Sequence, residues 1–346
     1  MPTTHPRPSL PPPLRGLRLP IIAAPMFTVS YPSLVSAQCR AGIVGAFPVL
    51  NARPPELLRD WLQRLQEELA TAAGPRPGLR PAPFAVNLNV NDANVRLAQD
   101  MQECLDARVP IFITSLRAPP SDLVEAVHAY GGIVLHDVIS LRHAEKALQA
   151  GVDGLILVAA GAGGHGGTLS PFAFLAEVRR IFDGPIALSG AISSGSDVLT
   201  ARAMGADLAY MGTRFIATRE SEADEDYKRT LLEARASDVV YTDYFSGVHA
   251  NYLRQSIEAA GLDPVRLRKP DGAPGYFGIA SAAARPRNWK DIWAAGHGVG
   301  AVNDAPDVAD LVDRLEAEYE RAAERLLSII GERRHSADAL TTSRSI

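Results

Sequence analysis

Short runs of apolar residues alternate with helical patterns along most of this 346-residue chain. The apolar runs are continuous rather than alternating in hydrophobicity, which is typical of parallel strands that are covered on both faces. Eight such runs predict strands at residues 21–26, 42–47, 84–90, 109–115, 132–138, 154–160, 185–190 and 208–216. Amphipathic spacing predicts helices at residues 32–40, 54–70, 93–107, 121–130, 141–150, 171–182, 194–204 and 222–236.

Eight strands that are each followed by a helix make up the repeating units of a TIM (β/α)8 barrel. A doubly wound open sheet is the alternative for such an alternating pattern. Nothing near the N-terminus matches the G-x-G-x-x-G fingerprint of dinucleotide-binding open sheets. The number of units therefore favours an α/β fold of the TIM-barrel type.

The regular pattern does not extend over the whole chain. Residues 1–15 are rich in proline and predict a disordered or extended arm, and residues 16–236 predict the barrel. Residues 237–286 gather tyrosines, phenylalanines and a histidine, and they predict an inserted, partly helical cap after the eighth unit. Residues 287–335 predict a glycine-rich return segment and a charged C-terminal helix that packs on the barrel.

Composition narrows the possible partners. The formal net charge is -4, and no basic run interleaved with aromatic residues is present, which argues against nucleic acid and anionic membranes. No apolar stretch is long enough to span a bilayer. Cys39 and Cys104 lie far apart without metal-binding spacing, and we interpret them as buried apolar residues. We expect a cytoplasmic monomer or homodimer that acts on a small molecule and binds no metal.

One histidine, His165, is surrounded by five glycines within residues 161–167, directly after the predicted sixth strand, and we call this segment the glycine bed. Glycines allow the backbone to approach a bulky group closely and to adopt positive φ angles. Histidine changes its charge near neutral pH. The pattern predicts a bound ligand with an acid or base beside it. A loop histidine that only packs or forms a hydrogen bond is the alternative.

Small residues also follow the predicted seventh and eighth strands, in Ser189-Gly190-Ala191 and Met211-Gly212-Thr213. At these positions of a TIM barrel, backbone N–H groups and helix N-termini can bind a phosphate. Simple tight turns are the alternative. A phosphate site next to the glycine bed leaves space for a flat cofactor across the barrel mouth, and FMN fits this space.

Three motifs carry a resemblance to a known family. They are PIIAAPM at residues 20–26, the Gly163-Gly164-His165 loop, and the block 185–221 with MGTRFIATRES at its end. From about residue 19 to the C-terminal helix, the chain resembles the nitronate monooxygenases, formerly called 2-nitropropane dioxygenases. The resemblance implies an FMN-dependent enzyme that oxidises an alkyl nitronate, or a nitroalkane that has lost its α-proton. Oxygen would be the acceptor, and a carbonyl compound and nitrite would be the products.

The resemblance also implies site residues. His165 is expected to be the catalytic acid or base beside the flavin. Cofactor contacts are expected at strand ends and small-residue turns, namely Ala24, Pro25, Met26, Asn87, His136, Gly163, Gly164, Ser189, Gly190, Ala191, Met211, Gly212 and Thr213. A substrate contact is expected from His297 in the return segment. From the residues themselves, Tyr244 and His249 in the cap are expected to line the substrate pocket, with the small core of that segment as the alternative.

Two alternatives to the monooxygenase remain. NADH:quinone reductases and flavin-type enoyl-acyl carrier protein reductases share the scaffold and also use a histidine flanked by glycines. The chain could therefore be an NAD(P)H-dependent FMN reductase of quinones or enoyl thioesters, or a barrel that binds its ligand without redox turnover. Some relatives place a lysine after the histidine of the fifth strand, where this chain has Asp137.

Overall fold

The computed structural model describes residues 9–267 and 290–342. Residues 1–8 of the predicted arm, 268–286 of the predicted cap and 287–289 of the predicted return segment lie outside the described residues. The strands are β1 (Ile21–Ala23), β2 (Gly45–Pro48), β3 (Phe84–Val90), β4 (Ile111–Leu116), β5 (Ile133–Val138), β6 (Gly154–Val158), β7 (Gly164–His165), β8 (Ile186–Ser189), β9 (Leu208–Met211), β10 (Val239–Thr242) and β11 (Ala250–Leu253).

Helices connect the strands and cover the outside of the barrel. They are α1 (Pro32–Arg40), α2 (Leu57–Thr71), α3 (Leu97–Asp106), α4 (Ser121–His128), α5 (Leu141–Gln149), α6 (Pro171–Val178), α7 (Gly195–Met204), α8 (Thr213–Ile216), α9 (Glu225–Glu233), α10 (Arg254–Ala259) and α11 (Val308–Thr342). The predicted eighth strand is too long, because Thr213–Ile216 is a helical turn after Gly212. None of the helices in the described part of the chain is long and apolar enough to cross a membrane.

Eight parallel strands form a closed barrel. Their order is β1-β9-β8-β6-β5-β4-β3-β2. The two ends of this sheet meet through a parallel bridge between Ile22 and Val44. There, Ala23 N–H donates to the Val44 carbonyl at 2.8 Å, and Val44 N–H donates to the Ile21 carbonyl at 3.1 Å. The sheet is therefore closed rather than open, and the TIM-barrel prediction is confirmed.

Alternation along each strand separates two apolar cores. Inward residues such as Ile22, Ile113 and Ile156 fill the barrel interior. Outward residues such as Phe47 and Phe112 pack with the surrounding helices. Since successive side chains of a strand point to opposite faces, a residue near the barrel mouth reaches the interior only at every second position.

The segment before β1 closes the bottom of the barrel. Its residues Pro12–Leu14 form a 3-10 helix. The Leu14 side chain is 2% exposed and belongs to the interior core. The prediction of a disordered or extended arm is therefore wrong for the described residues of that segment, because an apolar barrel interior must be sealed from water at its closed end.

The region after the eighth unit forms a small sheet of its own. Strand β10 pairs with β11, and β11 pairs with β7, both in antiparallel orientation. Since β7 belongs to the glycine-rich loop of the barrel, this sheet joins the cap to the loop that carries His165. Helix α10 follows, so the described part of the cap is part strand and part helix.

Helix α11 packs closely against the start of α7. A Cβ atom on Gly195 would collide with the Leu315 carbonyl. The Glu318 carboxylate accepts a hydrogen bond from Gly195 N–H at 2.8 Å. The side chain of Asp197 accepts from the N–H groups of Ser193 and Ser194. The N–H groups of Ser193, Ser194 and Gly195 at the start of α7 thus already have partners within the protein.

Replacing Leu14→Ala should destabilise the fold by about 2–5 kcal/mol, because the substitution leaves a cavity in the sealed end of the barrel. Urea unfolding of the apoprotein measures this loss. Leu327→Ala on α11 is the matched control, since that side chain is 69% exposed. Equal stability of the two variants would show that Leu14 does not seal the barrel.

Candidate active site

The carboxyl ends of the barrel strands open into one large cavity of about 1130 Å³. Typical small-molecule sites have volumes of roughly 300–1,000 Å³. The cavity lies at the face of the barrel where TIM-barrel enzymes have their active sites. Its size is sufficient for a cofactor and a substrate together.

Polar side chains from several strands reach the floor of the cavity. They are Asn87 and Asn89 on β3, Ser115 on β4, Asp137 on β5, Ser189 on β8 and Tyr210 on β9. Ser115 Oγ donates to Asn89 Oδ1 at 2.7 Å, and Asn87 Nδ2 donates to the Ile113 carbonyl at 3.2 Å. The floor is therefore polar, whereas the interior below it is apolar.

His165 lies in the cavity wall and is held by the cap. It pairs with Ala250 in the β7–β11 ladder. Its Nε2 lies 2.9 Å from Ser246 Oγ. The Ser246 hydroxyl donates its proton to the Val248 carbonyl at 2.8 Å. Because that proton is already used, Ser246 Oγ accepts from His165, and we assign the Nε2–H tautomer with the lone pair on Nδ1.

Burial keeps the His165 imidazole uncharged. Removal from water disfavours the imidazolium and lowers the pKa of His165 from 6.5 to about 4. At neutral pH the side chain is thus a neutral imidazole that can accept a proton. This is the protonation state that a general base needs.

The glycine bed around His165 allows two chain segments to pack closely. A Cβ atom on Gly163 would lie 2.8 Å from the Gly296 backbone nitrogen. Gly161 has φ +85 and accepts a hydrogen bond from His297 N–H at 2.9 Å. At Gly190, φ is +121 and a Cβ atom would lie 2.6 Å from the Ala160 carbonyl. Part of the glycine content therefore serves contacts between loops of the protein.

The loops after β8 and β9 form a concave surface suited to a phosphate. Gly190, Ala191, Ser193, Gly212 and Thr213 line the cavity there. Ser193 Oγ is buried and has no hydrogen-bond partner in the structure. A buried hydroxyl that lacks a partner among the described residues is available to a ligand oxygen at this place. The N–H groups of Ala191, Ser193, Ser194 and Gly195 already have partners within the protein, so the Ser193 hydroxyl is the group of this loop that fits a phosphate oxygen.

Three arginines line one side of the cavity mouth. Arg53 lies over the Phe27 ring at 5.0 Å from its centroid. Arg96 pairs with Asp100 at 2.8 Å, and Arg117 pairs with Asp92 at 2.5 Å. Within residues 9–267 and 290–342, no group of three histidine, cysteine or acidic side chains could hold a metal ion.

The nitronate monooxygenase family model matches residues 82–318, which is more than half of the chain. The chain belongs to the nitronate monooxygenase family. Membership makes this protein an oxidoreductase and implies a flavoprotein, and it confirms the family prediction.

Relatives of this family member have more than one activity. A nitronate monooxygenase of Paraburkholderia phytofirmans is 28% identical over 91% of this chain and 96% of its own length. A second relative, from Rhodococcus jostii, is 24% identical over 88% of this chain and 94% of its own length. It is named (3aS,4S,5R,7aS)-5-hydroxy-7a-methyl-1-oxo-octahydro-1H-indene-4-carboxyl-CoA dehydrogenase.

Solved structures share the fold. A nitroalkane oxidase from Streptomyces ansochromogenes has a TM-score of 0.72 at 24% identity and covers 90% of this chain and 98% of its own. FabK from Thermotoga maritima has a TM-score of 0.70 at 22% identity, and the match covers 90% of this chain and 96% of the FabK chain. At these identities the likeness supports the fold alone.

Most of the predicted site residues of this nitronate monooxygenase family member come together around the cavity. Those that line it are Ala24, Pro25, Met26, Asn87, Gly163, Gly164, His165, Ser189, Gly190, Ala191, Gly212, Thr213 and His249. Their roles toward a cofactor or substrate stay predictions.

Two predicted cofactor residues do not reach the cavity because they occupy outward strand positions. His136 is 3% exposed, and its Nδ1 lies 2.8 Å from Thr114 Oγ1 behind the barrel wall. Met211 packs in the core between barrel and helices. Asp137 and Tyr210 occupy the inward positions next to them and line the cavity instead, and contact of His136 or Met211 with a cofactor stays an untested prediction.

Two predicted substrate residues also lie elsewhere. Tyr244 packs edge-on against Phe245, with ring centroids 5.1 Å apart, in the small core of the cap. His297 is exposed, and its neighbours Gly296 and Gly298 line the cavity instead. Tyr241, which stacks on His249 at 5.0 Å, lines the cavity in place of Tyr244.

Sequence reasoning missed Ser246, Ser193 and Tyr210. Ser246 lies 81 residues from His165 in an irregular segment, and no spacing pattern connects the two. Ser193 follows the recognised Gly190-Ala191 turn by two residues. The inward position of Tyr210 could have been found by applying the two-residue period to the eighth barrel strand.

In the His136→Gln variant, the free energy of unfolding should decrease less toward acid pH than in the wild type. Burial lowers the pKa of His136 from 6.5 to about 4, and repulsion from His143 adds to this. Between these values the unfolded chain binds a proton that the folded protein does not. The stabilisation is present above pH 6.5 and is lost toward pH 4, by up to about 1.4 kcal/mol per pH unit.

Urea unfolding at a series of pH values tests this prediction. The free energy of unfolding of the wild type should fall more steeply with decreasing pH than that of the His136→Gln variant. His297→Gln serves as the control because His297 is exposed. A His136→Gln variant with the wild-type slope would contradict a buried neutral histidine.

Proposed function

We propose that this protein is an FMN-dependent nitronate monooxygenase. It would oxidise alkyl nitronates, or nitroalkanes after loss of their α-proton, with O2 to carbonyl compounds and nitrite. Two nitronates and one O2 then balance two carbonyl products and two nitrite ions. The observation that carries the proposal is the neutral His165, whose tautomer is set by Ser246, in the wall of a cavity large enough for cofactor and substrate.

His165 would take the α-proton of a neutral nitroalkane. An imidazole that is uncharged at neutral pH can accept this proton, and its hydrogen bond to Ser246 holds the ring in one orientation. A preformed nitronate has already lost this proton. His165 is therefore needed more for nitroalkanes than for nitronates.

FMN fits the residues at the cavity. The unpartnered Ser193 hydroxyl and the turns at Gly190-Ala191 and Gly212-Thr213 would hold the phosphate. Ala24, Pro25, Met26 and Asn87 would lie against the ring system. When bound, FMN supplies the electron transfer that no side chain of the cavity provides.

The three arginines favour a second candidate, an NAD(P)H-dependent FMN reductase of enoyl thioesters. Arg53, Arg96 and Arg117 line the cavity mouth, and the single acidic residue of its lining, within the described part of the chain, is Asp137. Arginine binds phosphate groups such as those of coenzyme A. One relative of similar length is named as a dehydrogenase of a CoA thioester.

Anaerobic mixing of the purified protein with a nitronate, NADH and NADPH separates the candidates. Loss of the visible flavin absorbance with propyl-2-nitronate alone, followed by nitrite release when O2 is admitted, is expected. Loss of absorbance with a pyridine nucleotide but not with the nitronate would replace the monooxygenase with the reductase. A protein that takes up no flavin would overturn both.

Replacing His165→Asn should lower the oxidation of a nitroalkane by about 10²–10⁴-fold, which is the usual contribution of a general base. Oxidation of the corresponding nitronate should fall less, and the bound flavin should remain. Nitrite formation and flavin content measure both effects. The control is His128→Asn, which lies outside the cavity and contacts Asp153. Equal losses with both substrates would argue against proton abstraction by His165.

Replacing Gly212→Leu should weaken FMN binding by at least about tenfold, or 1.4 kcal/mol. A Cβ atom on Gly212 would lie 3.3 Å from Ala24 Cβ and 3.6 Å from Met26 Sδ, so a longer side chain fills this part of the cavity. Fluorescence titration of the apoprotein measures the affinity. Gly331→Leu is the control, since nothing lies within 4 Å of a Cβ atom there. Unchanged affinity would place the cofactor elsewhere.

A further inference from the structure

Asp137 is the one acidic side chain of the cavity lining in the described part of the chain. It lies at the inward position of β5, beside Ile156 of β6 in the barrel register. Its Oδ1 atom is buried and has no hydrogen-bond partner among residues 9–267 and 290–342. A carboxylate in this position would lack the donors that normally stabilise a buried negative charge.

The strands on either side of Asp137 supply no charge to compensate it. The inward residues of β4 and β6 near the mouth are Ile113, Ser115, Ile156 and Val158, and none of these side chains is titratable. Tyr210 on β9 is 6% exposed, and burial together with the smaller effect of the Asp137 charge raises the pKa of this phenol. The other titratable groups around the cavity are His143, His165, His249, Tyr227, Tyr241, Arg53, Arg96 and Arg117.

The protonation state of Asp137 follows from this environment. Desolvation alone raises the pKa of Asp137 from 3.8 to about 7. A substantial share of the carboxyl groups is therefore protonated at neutral pH. A protonated carboxyl group is a hydrogen-bond donor, which an ionised one is not.

We propose that Asp137 contacts the bound cofactor as a neutral carboxyl group and donates a hydrogen bond to an acceptor on the flavin ring. The proposal rests on the FMN-dependent function proposed above. The polar edge of a flavin ring carries several carbonyl and nitrogen acceptors but a single N–H donor, so a donor on the protein finds a partner more readily than an acceptor does.

The proposal predicts a sign for the pH dependence of binding. Flavin selects the protonated form of Asp137, so its binding raises the pKa of this group above the value in the apoprotein. Affinity is then highest below about pH 7 and falls by up to about tenfold per pH unit above it, until the pKa of the complex is reached.

Titration of the full-length apoprotein with FMN, followed by flavin fluorescence between about pH 6 and pH 9, tests this. For the wild type we expect the dissociation constant to rise above about pH 7. For Asp137→Asn, whose amide still donates but does not titrate, we expect an affinity within about threefold of the wild type at low pH. The loss of affinity at high pH should be absent from this variant.

Asp153→Asn is the matched control, because Asp153 lies at the opposite end of the strands, where its carboxylate accepts from Val134 N–H. It should keep the wild-type pH profile. Subtracting the Asp137→Asn profile removes the titrations of the FMN phosphate and of the other groups around the cavity.

Each outcome has a distinct meaning. Wild-type and Asp137→Asn proteins with the same pH profile would overturn the proposal but leave FMN binding intact. Tighter wild-type binding at high pH would also overturn it, since Asp137 would then act as an ionised acceptor. An apoprotein that binds no FMN at any pH would instead overturn the proposed function.

Discussion

The two-residue alternation of the barrel strands is the constraint on which the site depends. Closure of the sheet between Ile22 and Val44 leaves every barrel strand with one face inside and one face toward the helices. At the mouth, this decides which of two adjacent residues reaches a ligand. On β5 it directs Asp137 into the cavity and His136 behind the wall. Two neighbours with similar polarity therefore have unrelated environments.

A second constraint is the sheet that connects the cap with the barrel. His165 is a residue of β7, and β7 is formed by pairing with β11 of the cap. Asn251 Nδ2 donates to the Ala162 carbonyl at 2.6 Å, and Tyr241 Oη donates to the Gly166 carbonyl at 3.0 Å. These bonds fix the glycine-rich loop on both sides of the imidazole. Ordering a loop with so many glycines costs considerable conformational entropy, and these hydrogen bonds offset part of that cost.

Much of this arrangement could be predicted from the sequence. The eight strands are marked by continuous apolar runs, and the glycine bed and the small turns after β8 and β9 are visible as local patterns. Local patterns gave the wrong orientation for His136 and Met211, because a continuous apolar strand does not reveal which face is inside. Leu14 was missed since its partners are distributed over the whole barrel interior.

Contacts between distant segments explain the remaining differences. Ser246 contacts His165 only when the cap has folded over the barrel mouth. The Gly195 amide at the start of α7 contacts Glu318 only when α11 has packed. Neither contact has a sequence spacing that could be recognised in advance. The polar character of these residues is common in any surface segment, so only the tertiary structure distinguishes them.

The small sheet and the turn beside it have different roles at His165, and this affects which positions can vary between relatives. The ladder of β10, β11 and β7 sets the position of His165, whereas the turn at residues 243–249 supplies the side chains around it. Substitutions at Val248 or His249 would change the cavity lining beside His165, whereas Ser246 in the same turn holds the ring in one orientation. A slip of one residue in the β7–β11 pairing would turn His165 to the other face of the small sheet. Variation is therefore expected to be greater at Val248 and His249 than at Ser246 or in the paired strands β7 and β11.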